Sequence, residues 1–364
     1  MKRSFILLCI AFLVLGNVVF AEEAPLINFS ELTQDYPAQG STENERTLMD
    51  FSTVAGNSFD EEALSQMKTS LAIPNWDIEL ASSSQTIENM TNSFVRPAPV
   101  SGDSQFFAGE TVMGIRIHFP TQPFNSWAMI SPPFDIPAFA DRTVIEQDEE
   151  GNDVLVPASV SEEGDGFYGE DTLQPLEEGE TGDGSKFDNF GVVKNVGVLR
   201  SVSANIYGQN FPHTMSIIIE NQNHERREIP LGQLTFDGWQ ERGWVNPNYI
   251  EDVRNRELSR QPLYPNATPF VKLVGILIYR DASQTGGDFI SYIGNITVTY
   301  DQAVLDLESD IQHEAIWGIV SDRERERRNS ELERLGERQV LQYLERQRMH
   351  QDEGQGAQAN QDTE

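Results

Sequence analysis

Five stretches of the chain alternate apolar and polar residues with a period of two, the signature of strands that turn one face to a core. Met113, Ile115, Ile117 and Phe119 share one face while Arg116 and His118 take the other. Val192, Val196, Val198, Val202, Ala204 and Ile206 mark a longer run, followed by Met215, Ile217 and Ile219. A more continuously apolar run spans Phe270 to Tyr279, and the last places Ile290, Tyr292, Ile296, Val298 and Tyr300 together. Turn signals at Gly208 to Asn210, Asp237 with Gly238, and Gly286 with Gly287 punctuate them. Strands in this rhythm, without intervening helices, predict a mostly β chain: an antiparallel, jelly-roll-like β-sandwich over residues 75–303.

Three segments depart from the pattern. Residues 141–186 carry fifteen acidic side chains against Arg142 and Lys186, too polar to order strongly. They read as an acidic loop insertion with a hairpin from Val144 to Val156. From Ser321 onward the chain turns rich in Arg, Glu, Gln and Leu. Ser321 with Glu324 and Ser330 with Glu333 have capping-box spacing. Leu332, Leu335, Val340, Tyr343 and Leu344 gather on one half of a helical wheel, so 304–350 is read as an amphipathic helical region with a polar tail at 351–364. Residues 22–74 are assigned to an N-terminal extension.

The first residues explain where the chain goes. Lys2 and Arg3, the apolar run Phe5 to Val19, and Val19-Phe20-Ala21 form a signal peptide with cleavage expected before Glu22. The run is shorter than a membrane span, so no anchor is expected after cleavage. Cys9 is the single cysteine, which leaves the mature chain without disulfides or thiolate ligands. With 58 acidic against 26 basic residues, the net charge of −32 excludes nucleic acid and anionic lipid as natural partners.

Chemistry is sparse. The five histidines include no i,i+4 pair, and no G-x-S-x-G elbow, P-loop or dinucleotide fingerprint is present. No catalytic residue, cofactor or metal ligand is assigned. Glu163, Asp165, Glu170 and Asp171 crowd together, but their spacing matches no EF-hand and a solvated acidic loop accounts for them. Asn-x-Ser/Thr sequons stand at Asn28, Asn89, Asn266 and Asn295. The most suggestive cluster is Trp239, Trp244, Tyr249 and Tyr264, expected on loops between strands, where aromatics cap a core, stack on sugars or anchor an interface.

Longer strings carry a resemblance. RIHFPTQPFNSWAMISPPFDIP from Arg116 to Pro137, NVGVLRSVSANIYGQNFPH from Asn195 to His213, FDGWQERGWVNPNYI from Phe236 to Ile250, RNREL from Arg254, PLYP from Pro262 and YRDASQTGGDF from Tyr279 cover most of 75–303. In these the chain resembles the spirochaetal flagellar filament outer-layer (sheath) proteins, the FlaA family. The resemblance implies a non-enzymatic structural subunit, exported to the periplasm and laid over core flagellins beside neighbouring sheath subunits, serving filament assembly and motility. Candidate interface residues are then Trp239, Trp244, Tyr249 and Tyr264 of the aromatic cluster and Leu332, Leu335 and Leu344 of the terminal helix. The competing reading is a periplasmic carbohydrate-binding sandwich built on the same aromatic loops.

Overall fold

The computed structural model describes residues 21–35, 45–51, 67–138, 142–147, 153–160, 173–175, 186–258 and 269–303, with residues 59 and 64 and separate positions of a C-terminal helix between 316 and 344. Two six-stranded sheets make the body. Sheet I runs β15 (Asp237–Val245), β12 (Val196–Gln209), β17 (Gly287–Gln302), β6 (Thr111–Phe119), β5 (Phe94–Pro99), and β1 (Glu22–Asn28) also pairs with β17. Sheet II runs β14 (Arg226–Gln233), β13 (Thr214–Asn221), β16 (Phe270–Arg280), β7 (Ser126–Ser131), β4 (Asp77–Leu80), with β11 (Val192–Lys194) beside β16. Consecutive strands hold matching places in the two sheets: β4 and β5, β6 and β7, β12 and β13, β14 and β15, β16 and β17. The chain thus changes sheet at each of these steps, which is jelly-roll winding, and the expected antiparallel sandwich is the fold observed.

The alternation explains the core. Met113, Ile115, Ile117 and Phe119 of β6 are buried, as are Val202, Ala204 and Ile206 of β12 and Met215, Ile217 and Ile219 of β13. Arg116 and His118 point outward, and both reach Asp288 on β17, at 3.1 and 3.0 Å. The run from Val192 to Ile206 is two strands, however. Asn195 adopts φ +59 and breaks it, so β11 joins sheet II and β12 joins sheet I. Asparagine tolerates that left-handed conformation better than most residues.

Strand β17 corrects a second expectation. Ile296, Val298 and Tyr300 face the core, but Phe289 and Ile293 are the buried residues upstream, and Ile290 and Tyr292 lie on the opposite face. The register against β12 slips between Asn205, opposite Asn295, and Ile206, opposite Ile293. Gly294 is the extra residue, and a β-bulge of this kind inverts the inward phase of everything beyond it.

Residues 22–74, read as an extension, contribute to the sandwich. β1 pairs with β17 from Glu22 opposite Tyr300 to Asn28 opposite Asn295. Leu26, Ile27, Phe29, Leu32, Phe51, Leu71 and Ile73 belong to the common core, and the Trp76 indole donates to the Leu71 carbonyl at 2.8 Å. A small pair, β2 (Leu48–Asp50) with β3 (Lys68–Ser70), lies in the same segment. Its apolar residues are too irregularly spaced to announce this.

Within the acidic insertion, β8 (Arg142–Gln147), β9 (Asp153–Val160) and β10 (Leu173–Pro175) form a separate three-stranded sheet. Val144 pairs with Val156, the hairpin anticipated from the sequence. Glu163, Asp165, Glu170 and Asp171 lie outside the described residues, as do the signal peptide through Phe20 and the sequon Asn266. Among the described residues the body carries the helices α1 (Ile87–Thr91) and α2 (Tyr249–Leu258). The described positions from 319 to 344 are helical, just after Gly318 at φ +56. Arg334 on that helix meets Asp135 at 3.0 Å, which ties the helix to sheet II's surroundings. Leu344 is half-buried there, whereas Leu332 and Leu335 lie outside the described residues.

The bulge yields a direct test. A Cβ on Gly294 would stand 2.2 Å from the Phe107 ring, so Gly294→Val must expel that ring or shift β17. Overpacking of this kind costs about 1–3 kcal/mol. Urea denaturation of Gly294→Val is expected to show that loss, and wild-type stability would mean the glycine is not required.

Candidate interaction surfaces

Across the outer face of sheet I runs a row of aromatic residues placed by strand register. Trp239 of β15 stands opposite Tyr207 of β12, Tyr207 opposite Tyr292 of β17, and Tyr292 opposite Gly114 of β6. Tyr207 meets Trp239 edge-on, centroids 5.5 Å apart at 77°, and meets Tyr292 at 5.7 Å and 78°. Phe107, from the loop between β5 and β6, adds a fourth ring 4.9 Å from Trp239. Glycine makes the room: Gly294 accepts the Phe107 ring, and a Cβ on Gly114 would lie 3.3 Å from Tyr292. Beside the row, the Asn205 amide donates to Asn295 Oδ1 at 2.8 Å. Edge-to-face pairs add about 0.5–1.5 kcal/mol each beyond their buried area, so these half-exposed rings form a pre-set, amphipathic surface.

Of the four aromatics singled out in the sequence, Trp239 alone is found in this row. Trp244, five residues along the same strand, turns to the other face, packs on the core margin and carries Arg227 4.6 Å over its ring. Both tryptophans therefore stand on a strand rather than a loop. Tyr249 opens α2, where its hydroxyl donates to Asp301 at 2.8 Å and Arg200 sits 5.6 Å over its ring. Tyr264 lies outside the described residues. Tyr207, one residue beyond inward Ile206, is an outward position by the same alternation; for Tyr292 the alternation alone points inward, because nothing in the sequence announces the bulge.

One end of the sandwich is built around a buried cation. Arg280, 1% exposed, donates to the carbonyls of Pro120 at 2.7 Å, Gln122 at 3.1 Å and Gln284 at 2.9 Å. Gln284 in turn donates to the Pro212 carbonyl at 2.7 Å, and the Ala282 amide to Asn125 at 2.9 Å. Three loops, β6–β7, β12–β13 and β16–β17, are thereby locked together. Gly286 is required in the lock, because a Cβ there would lie 2.1 Å from the Pro120 carbonyl oxygen.

Beneath the lock sits His213, stacked on Phe119 at 5.1 Å and packed against Phe289 at 5.0 Å and Phe211 at 5.9 Å. Neither ring nitrogen has a hydrogen-bond partner. Burial, followed by the nearby Arg280 cation, lowers its pKa from 6.5 to about 4, so the ring is neutral at pH 7. The two sequons on described side chains other than Asn295 are also engaged: Asn89 is buried and donates to the Ser84 carbonyl, and Asn28 caps the short helical turn at Phe29–Glu31.

His213 predicts a pH dependence. Its folded pKa lies below its unfolded one, so its contribution is intact above pH 6.5 and is lost as pH falls toward 4, by up to about 3 kcal/mol. Urea melts across that window should show a shallower slope for His213→Phe than for wild type. Equal slopes would remove His213 as the cause.

Residues 40–309 match the family model described as flagellar filament outer layer protein FlaA. The chain is 47% identical over 350 residues to the flagellar filament outer layer protein of Spirochaeta aurantia, covering 96% of this chain and 94% of that one. It is 39% identical to the protein of the same name from Treponema pallidum, covering 96% and 95%. Among solved structures, TmCBM61 in complex with beta-1,4-galactotriose aligns at a TM-score of 0.25 and 7% identity, over 63% of this chain and 90% of that one. The aromatic row, its glycines and the Arg280 loop lock lie within the span that the family model matches, and the chain belongs to the flagellar filament outer layer protein family.

Proposed function

We propose that this chain is a structural subunit of the outer layer, or sheath, of the periplasmic flagellar filament, contributing to filament assembly and cell motility. The observation that carries the reading is near-full-length similarity to relatives named for that layer. The subunit reaches the periplasm through removal of residues 1–21. In support, β1 begins at Glu22, the residue expected to follow the cleavage site. A body closed by packing alone suits a chain whose single cysteine lies in the removed peptide. The partners are core flagellins and neighbouring sheath subunits. The row Trp239, Tyr207, Tyr292 and Phe107 is the first candidate contact, since rigid half-exposed aromatics anchor interfaces at low entropic cost. The C-terminal helix, with Leu332, Leu335 and Leu344, is the second.

A carbohydrate-binding role is the alternative, motivated by the same aromatic row beside the Asn205–Asn295 amide pair. Immunogold labelling of isolated periplasmic filaments, with filament diameter measured in a deletion strain, separates the two. Labelled filaments that thin on deletion are expected; unlabelled filaments of unchanged diameter would overturn the sheath reading. Calorimetric sugar binding lost on Trp239→Ala or Tyr292→Ala, yet kept on Trp244→Ala, would favour the alternative.

A further inference from the structure

A buried ion cluster lies at the end of β13 in sheet II. Glu220 pairs in register with Lys272 of β16 on one side and Arg226 of β14 on the other. Lys272 Nζ stands 3.2 Å from Glu220 and 2.8 Å from Asp135, while Arg226 Nε and His224 Nδ1 reach Glu220 at 2.9 and 3.0 Å. Asp135 is also met by Arg334 of the C-terminal helix. Burial alone would raise the Glu220 carboxyl, but Arg226, His224 and Lys272 together bring it down to about 2. The Glu220 carboxylate is therefore ionised, and both it and Asp135 are already engaged by cations.

Between this cluster and the helix opens a cleft of about 420 Å³, lined by Glu220, His224, Arg226, Arg327, Ser330 and Arg334 with Asp135 at its edge. Among the described residues, and counting Lys272 below, four permanent cations face two carboxylates, a local excess of positive charge on a chain whose net charge is −32. Among the described residues no carboxylate stands within ion-pair distance of Arg327. Guanidinium groups over a partly dry floor suit a carboxylate, which two parallel N–H donors of an arginine can hold.

We propose that this cleft receives an acidic segment of a second copy of the chain, the insertion at 141–186. That insertion sets fifteen carboxylates against two bases, the complementary charge to the cleft. Because the cleft and the insertion are different patches, each copy can offer its insertion to one neighbour and its cleft to another, and such a heterologous contact builds a ring or an open array when repeated. An array is the geometry that a layer needs, and in that respect the inference rests on the outer-layer reading.

Sedimentation equilibrium of the chain lacking residues 1–21 tests it. Wild type should self-associate, more weakly as salt rises. Arg327→Glu should weaken association by about tenfold or more, and so should Glu162→Lys, Glu163→Lys and Asp165→Lys combined. Mixing the two variants should restore association, because each then presents the charge that the other lacks. A monomeric wild type, variants that associate like wild type, or a mixture without recovery would each overturn the proposal. Arg327→Gln, checked for an unchanged circular dichroism spectrum and melting temperature, guards against a folding defect. Gold-labelled filaments together with unaltered association of the variants would remove the cleft contact and leave the sheath role standing.

Discussion

Strand β17 is flanked along one edge by β12 and along the other by β6 and then β1, so it is the member through which sheet I is assembled. β16 plays the corresponding part in sheet II, with β13 on one edge and β7 followed by β11 on the other. Each central strand thus pairs with one neighbour along most of one edge and with two shorter pairings in succession along the other. The turn from β16 to β17 carries the chain between the sheets, and Arg280 at its start is the side chain that fastens the adjacent loops. With no cysteine after Cys9, this non-covalent scaffold bears the stability that disulfides supply in many exported domains.

The bulge at Gly294 links that scaffold to a surface. Upstream of it, Phe289 and Ile293 enter the core; downstream, Ile296, Val298 and Tyr300 do. The phase change sends Tyr292 outward beside Tyr207 and Trp239, and the missing Cβ gives Phe107 its place. One residue without a side chain therefore both corrects the packing of the strand and assembles an aromatic row from three strands and a loop. Such a surface needs no induced fit to meet a partner, because sheet register already holds its rings.

Charge is distributed with equal economy. An acidic body keeps a protein soluble at high local concentration. Its exceptions are local: Arg280 satisfies carbonyls at the loop end, and Lys272 together with Arg226 and Arg334 neutralises Glu220 and Asp135 under the C-terminal helix. The first is spent within its own subunit, whereas at the second the described residues bring more cations than carboxylates to the cleft that Arg226, Arg327 and Arg334 line.

The sequence by itself determined that the chain is a β-sandwich, because period-two alternation on β6, β12, β13 and β17 requires sheets with one buried face. It also determined the Val144–Val156 hairpin and the terminal helix, whose signals are local. It did not reveal β14 and β15, edge strands whose polar residues dilute the alternation, nor α2, whose face is weakly apolar. Whether Trp239 and Trp244 share a surface was decided by their odd spacing within one strand, visible only once that strand existed. The aromatic row, the Arg280 lock, the burial of His213 and the contribution of residues 22–74 to the core were settled by tertiary structure alone. Each depends on contacts between residues distant in the chain, and a one-residue slip at Gly294 is enough to reverse which side chains meet.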